Sequence, residues 1–262
     1  MKKRTKRKPR KRSADISSEG PDAEPPTLAD VPFRELVQKD PELKEIRQRY
    51  RRKSAELRRE AAEDAMFSVQ AKVMLARLTG RRDLVHPTWH DAAVPLAIDP
   101  DYAPAILTVG SLEYRYGRPD EAMALFLRLT TFPPETKGLA EIIDQAGDFL
   151  IAEDDYDNAE ILYSAAAAAQ PEVAVFRVGC GCCASQRGRK EEAVEHFRRA
   201  VELEPDNYVH LNDLGYALLE AGQYDGAEEV LRRAVELAPD NYDLAKGNLD
   251  HLTELRAEFD EE

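Results

Sequence analysis

The chain has 262 residues, 43% hydrophobic and 33% charged, with three cysteines and a formal charge of −13. That composition excludes a disulfide-stapled miniprotein, a collagen-like chain and a wholly disordered one. No apolar run reaches the roughly 18–20 residues that cross a bilayer, and Met1 to Arg12 is basic without the apolar core of a secretory leader, so an intracellular, cytoplasmic protein is expected.

The net charge conceals a division: residues 1–82 sum to +10 and residues 83–262 to −23. Residues 2–12 hold nine Lys and Arg and no acid, and residues 13–32 turn to Ser, Pro, Asp and Glu with little to bury. Such a segment cannot offset its ordering entropy, so residues 1–32 are expected to form a disordered basic tail and linker. A run of like charge either solubilises the chain or binds nucleic acid, an anionic surface or an acidic protein. Asp40-Pro41 then reads as a helix start, with the acid as cap and proline in the first turn. The helical pattern that follows extends toward Leu78, nearly 60 Å at about 1.5 Å per residue if it is unbroken. Its earlier part, Leu43 to Glu60, has apolar residues only at 43, 46, 50 and 57, and residues 33–60 read as a charged helical arm projecting beyond the body. Met66 to Leu78 is richer in Val, Leu and Met. It reads as the first helix of a degenerate repeat, residues 68–101, completed by His90 to Ile98 with a kink at Pro95. His86 and His90 have helical spacing, but Pro87 between them favours a loop or helix start over a metal pair.

From residue 103 onward the chain repeats itself. The first copy has Gly110, Gly117, Ala122, Phe126 and Pro134, and the second Gly147, Ala159, Tyr163, Ala166 and Pro171. The third has Gly181, Gly188, Ala193, Phe197, Ala200 and Pro205, and the fourth Gly215, Gly222, Ala227, Leu231, Ala234 and Pro239. Successive prolines stand 34 residues apart, except that the step from Pro134 to Pro171 is three longer, which places an insertion at Lys137 to Leu139. Within a copy, Val209, Leu211, Leu214, Leu218 and Leu219 follow helical spacing, as do Ala227, Val230, Leu231, Ala234, Val235 and Leu237. Each copy is therefore two amphipathic helices. Gly222 supplies a left-handed stop, Asp206 or Asn207 caps the next helix, and Pro205 and Pro239 end the second one. A hairpin of this size cannot cover its own apolar face, so neighbours must stack.

This pattern closely resembles the tetratricopeptide repeat family, over about three quarters of the chain. The resemblance implies an all-α fold, an α-solenoid of helix–turn–helix repeats over residues 61–259. Repeats fall at 103–136, 140–173, 174–207 and 208–241, with a C-terminal capping helix at 242–259 that turns Leu244, Leu249, Leu252 and Leu255 inward. It also implies that the first helices of the repeats line a concave groove for an extended peptide or a partner helix. Transferred by register, the groove positions are Leu107, Thr108, Ser111 and Tyr114, with Arg115 beside them, then Glu141, Asp144, Gln145 and Asp148. The third copy offers Val175, Val178, Cys182 and Gln186, and the fourth Asn212, Asp213, Tyr216 and Glu220. The Lys, Asn and Arg that hold a peptide's terminal carboxylate in chaperone-binding members are almost absent, so acidic C-terminal tails are not expected ligands. A basic or neutral segment suits the carboxylates, and self-association of the basic tail with this surface, within or between chains, meets the same terms.

Other clusters carry less. Cys180 and Cys183 share a helix face while Cys182 points away, and no second ligand pair follows, so packing accounts for them better than a metal or redox site. There is no phosphate-cradling glycine loop, nucleophile elbow or H-E-x-x-H pair, and neither catalysis nor a cofactor is expected. The expected function is a non-enzymatic scaffold that binds other proteins. The alternative is nucleic-acid or ribosome association through residues 2–12 and the Arg-rich stretch Arg47 to Arg59.

Overall fold

The structure, a computed structural model, describes Glu35, residues 38–79 and residues 85–260. The tail and linker expected over residues 1–32 lie outside the described residues. Those described form twelve α-helices and no strand. They are α1 Pro41–Tyr50, α2 Ala55–Thr79, α3 Val85–Ile98, α4 Ala103–Arg115, α5 Pro119–Leu129, α6 Leu139–Ala152, α7 Tyr156–Ala169, α8 Ala174–Gln186, α9 Lys190–Leu203, α10 Tyr208–Glu220, α11 Tyr224–Leu237 and α12 Leu244–Asp260. Each helix packs on its neighbour in sequence from α2 to α12, and each of α4, α6, α8 and α10 also packs on the next of the four. This is a stack of helix pairs, the α-solenoid expected from the 34-residue period.

The pairs close on one repeated contact. A methyl group added at Gly110, Gly147, Gly181 or Gly215 would lie within 3.0 Å of Phe126, Tyr163, Phe197 or Leu231 respectively, the side chain sixteen positions on in each copy. The four glycines thus occupy equivalent places, each giving the large side chain of the second helix room against the backbone of the first. The turns between paired helices are equally uniform. Gly117, Gly188 and Gly222 take φ of 79°, 74° and 73°, and the second copy puts Asp154 there at φ 61°, the one described residue other than glycine with positive φ. The three extra residues fall in the loop 130–138. There α5 stops at 11 residues where its counterparts have 14, and Leu139, expected in the loop, instead opens α6. Asn207 is the cap of α10, its side chain accepting from the amides of Val209 and His210.

The ends differ from expectation in three ways. First, the long N-terminal helix is broken at Arg51–Ser54, where the Ser54 hydroxyl accepts from the Leu57 amide and starts α2. A straight helix would have set the apolar stripe of Leu43, Ile46 and Tyr50 roughly a third of a turn away from that of Ala62, Met66 and Val69, so one of them would have faced water. The break lets both dock. Second, α1 consequently does not project: Leu43 is 0% exposed and packs with Ala93 and Ala97 of α3, and Asp40, which caps α1, sits 3.2 Å from His90 Nε2. Pro87 falls in the first turn of α3, and Pro95, expected to kink this helix, lies in its last turn while the helix runs on to Ile98. Third, the cap α12 turns Ala245 and Leu252 inward with Leu249 and Leu255 beside them, but Leu244 is 64% exposed, because the buried stripe begins one residue later. Val209 and Leu237, read as inward, are likewise exposed at the ends of their helices. The buried side chains form two large clusters that meet in α8: Phe176, Cys180 and Cys183 belong to the first, Ala184 to the second.

Candidate partner-binding groove

The first helices α4, α6, α8 and α10 lie side by side and present the positions transferred by register. Thr108 and Ser111 are half-buried on α4, and each hydroxyl donates to a carbonyl of its own helix, Pro104 and Leu107, at 2.9 Å. Tyr114 is a tie between hairpins. Its hydroxyl donates to Asp155 at 2.7 Å and its ring meets Phe149 edge-on at 5.5 Å. Burial and the Asp155 carboxylate push the Tyr114 hydroxyl up to about 12. Burial would raise Asp155, but the hydrogen bonds from Tyr114 and Asn158 outweigh it and hold the carboxyl below its usual range.

The middle of the groove is acidic. Glu141, Gln145 and Asp148 are exposed on α6, and Asp144 is half-buried beside them. The fully buried Tyr163 sends its hydroxyl up from the core to this cluster, 3.0 Å from Asp144 Oδ1, 3.1 Å from the Asp144 carbonyl and 3.3 Å from Asp148 Oδ1. One hydroxyl proton cannot serve three acceptors at once. Burial, opposed by the Tyr163 hydrogen bond and reinforced by Asp148 and Glu141, lifts Asp144 to about 6. On α8, Val178 and Cys182 are half-buried. The Cys182 thiol is pushed to about 12 by burial and then by Asp213, Asp148 and Asp144, so one side chain feels carboxylates from both flanking helices. On α10, Asp213 is raised by burial and Tyr216 is 45% exposed. Asn212, transferred to the groove by register, is 6% exposed and accepts from Asn248 of the cap at 2.9 Å, so its amide fastens α12 to α10 and is unavailable to a ligand.

The other half of the groove was read from the sequence only at Leu107, Thr108, Ser111, Arg115 and Gln145, without the contribution of α2. Between α2, α4 and α6 lies a trough of about 810 Å³ whose apolar lining includes Met66, Val69, Met74, Leu107, Ile142 and Phe149, with Thr108, Ser111 and Gln145 at its polar edge. Arg115 closes it, stacked 5.2 Å over the Phe149 ring and bonded to Glu153. Met74 joins the trough to an exposed apolar stripe of α2 that includes Phe67, Leu75 and Leu78. The signal was available: stepping the 34-residue register back from Thr108 lands on Met74.

Among the described residues, no cluster of His, Cys, Asp and Glu could hold a metal, and no helix is long and apolar enough to cross a membrane. Cys180 and Cys183 are buried in the helix stack.

A tetratricopeptide repeat model matches residues 181–242. No curated protein sequence matches the chain. Among solved structures, similar folds include the first tetratricopeptide domain of Spaghetti bound to an HSP90 peptide, at 20% identity over 45% of this chain and 93% of that one, with a TM-score of 0.42. The Sgt2 tetratricopeptide domain of Aspergillus fumigatus is similar at 22% identity over 50% and 84%, TM-score 0.45, and pilF of Pseudomonas aeruginosa at 16% over 76% and 88%, TM-score 0.48. Four glycine-backed helix pairs at a 34-residue period, the last of them inside the matched segment, give residues 181–242 the tetratricopeptide repeat pattern and the chain an all-α repeat fold similar to those structures.

Proposed function

We propose that the chain is a non-enzymatic scaffold whose concave face, lined by α2, α4, α6, α8 and α10, holds a segment of another protein. The segment presents apolar side chains to the trough at α2, α4 and α6, and Lys or Arg to Glu141, Asp144, Asp148 and Asp213. The observation that carries this reading is the Asp144 carboxyl: it is half-buried beside the exposed carboxylates of Glu141 and Asp148, and a partner cation would offset its burial and their repulsion while gaining charge-assisted hydrogen bonds. Complementary charge of this kind governs on-rate and specificity, and the apolar anchors supply the affinity. The test is selection of the full chain against a random 12-residue peptide library, followed by anisotropy measurements on the winners. Enrichment of Lys and Arg next to Leu, Met or Phe, with binding at least tenfold weaker to the Glu141→Lys/Asp148→Lys variant, is the expected result. Enrichment of acidic peptides, or indifference to the double reversal, refutes the assignment.

A further inference from the structure

A second surface, outside the groove, has the opposite charge. Lys44 and Arg47 of α1 and Arg51, the residue that caps its C-terminus in helical backbone geometry, share one face, with positions three and four apart stacked above one another about 5–6 Å apart. Arg58 of α2 joins them, and together with Ala97, Ile98 and Pro100 at the end of α3 they line a depression of about 830 Å³. Nothing in the described structure neutralises these cations: none of Lys44, Arg47, Arg51 and Arg58 forms an ion pair, and Arg58 Nε is buried without a hydrogen-bond partner. The one carboxylate on the rim, Asp101, is bonded to Arg128. Several arginines elsewhere are answered: Arg59 by Asp99, Arg115 by Glu153, Arg189 by Glu160, Arg233 by Asp206 and Arg256 by Asp225. In a chain with 50 acidic residues against 37 basic ones, an unpaired row of cations around a cavity is the exception.

We infer that this depression is a binding site for the phosphodiester backbone of nucleic acid. A single phosphate would engage one or two of the four side chains, whereas a row along a helix matches a chain of phosphates, and arginine's planar fork binds phosphate oxygens in pairs. The inward face of α1, Leu43, Ile46 and Tyr50, is committed to α3 and α4, so no aromatic ring stands in the row to stack on a base. The site reads charge and spacing, not sequence. The site is independent of the groove and of the basic residues 2–12, which would add to it.

The experiment uses the full chain, the variant Lys44→Gln/Arg47→Gln/Arg51→Gln, and a variant with the basic residues of 2–12 changed to Gln. Each is titrated with two labelled 20-bp DNA duplexes of unrelated sequence and with inorganic phosphate, over a range of salt. Removing three phosphate contacts should make the plot of log affinity against log salt shallower by about 2–3, at roughly 0.9 per contact, with equal losses on both duplexes. The tail variant should retain a salt slope that the three substitutions then remove. Circular dichroism checks that the triple variant, altered only at exposed positions, remains folded. The inference is overturned if the triple variant keeps the parent's slope, if the two duplexes differ more than tenfold, if inorganic phosphate binds and DNA does not, or if nothing binds.

Discussion

Replacing Asp144 by Asn tests whether the groove's charge is held against the interest of folding. Asp144 rises from 3.8 to about 6 in the folded protein, burial being the main cause. Two units at about 1.36 kcal/mol each set a ceiling near 3 kcal/mol, and because the group is partly open to solvent the working figure is about 1–2 kcal/mol. The sign follows from the direction. The folded state binds the proton more tightly than the unfolded chain, so this group costs nothing well below pH 3.8 and little at pH 4. It progressively destabilises the fold as pH rises toward 6, and the full penalty applies at pH 7. Asparagine keeps an oxygen for the Tyr163 hydroxyl and removes the charge. The variant should gain about 1–2 kcal/mol at pH 7, equivalent to a rise in Tm of roughly 2–8 °C, and only a small fraction of that at pH 4. Urea unfolding at pH 4, 5, 6 and 7 measures both. A gain that is the same at every pH would place the effect in packing instead of charge, and no gain at pH 7 would remove the basis for calling the cluster repulsive.

Gly147→Ala should destabilise by about 1–3 kcal/mol or more, because its methyl meets the fully buried Tyr163 ring, whereas Gly247→Ala, with nothing within 4 Å in helix α12, should stabilise by about 0.5–1 kcal/mol. Chemical denaturation of the pair decides it, and equal effects would contradict the close-approach reading. Asp154→Gly should add about 0.5–1 kcal/mol, since it relieves a left-handed backbone at the one such turn without glycine, and a loss in the same assay would show that the Asp154 side chain is needed there. Leu43→Ala should cost about 2–3 kcal/mol locally, releasing α1 to amide exchange while α6 to α11 keep their protection; uniform loss of protection would mean that α1 folds with the whole stack.

The repeats were legible because their architecture depends on residues of fixed size at fixed places. Gly110, Gly147, Gly181 and Gly215 each face a large side chain sixteen positions later, and Gly117, Gly188 and Gly222 mark turns that only a few residue types accept. What the sequence concealed lay in contacts between units. Leu43, Ile46 and Tyr50 are too sparse to announce a docked face, and only the break at Ser54 brings them to α3. Asn212 occupies a groove position by register, yet the cap makes it internal through Asn248. The apolar trough needs Met66 and Met74 from a helix whose own repeat is degenerate, together with Ile142 and Phe149 from two hairpins further along, and no local pattern joins them.

The meeting of the two buried clusters inside α8 gives that helix an unequal place in the stack. It is the helix shared by the two large clusters: Cys183 belongs to one and Ala184 to the other, neighbours in sequence. A rotation of this helix by a fraction of a turn would disturb both halves together, and Cys182, looking into the groove from the same turn, would register it.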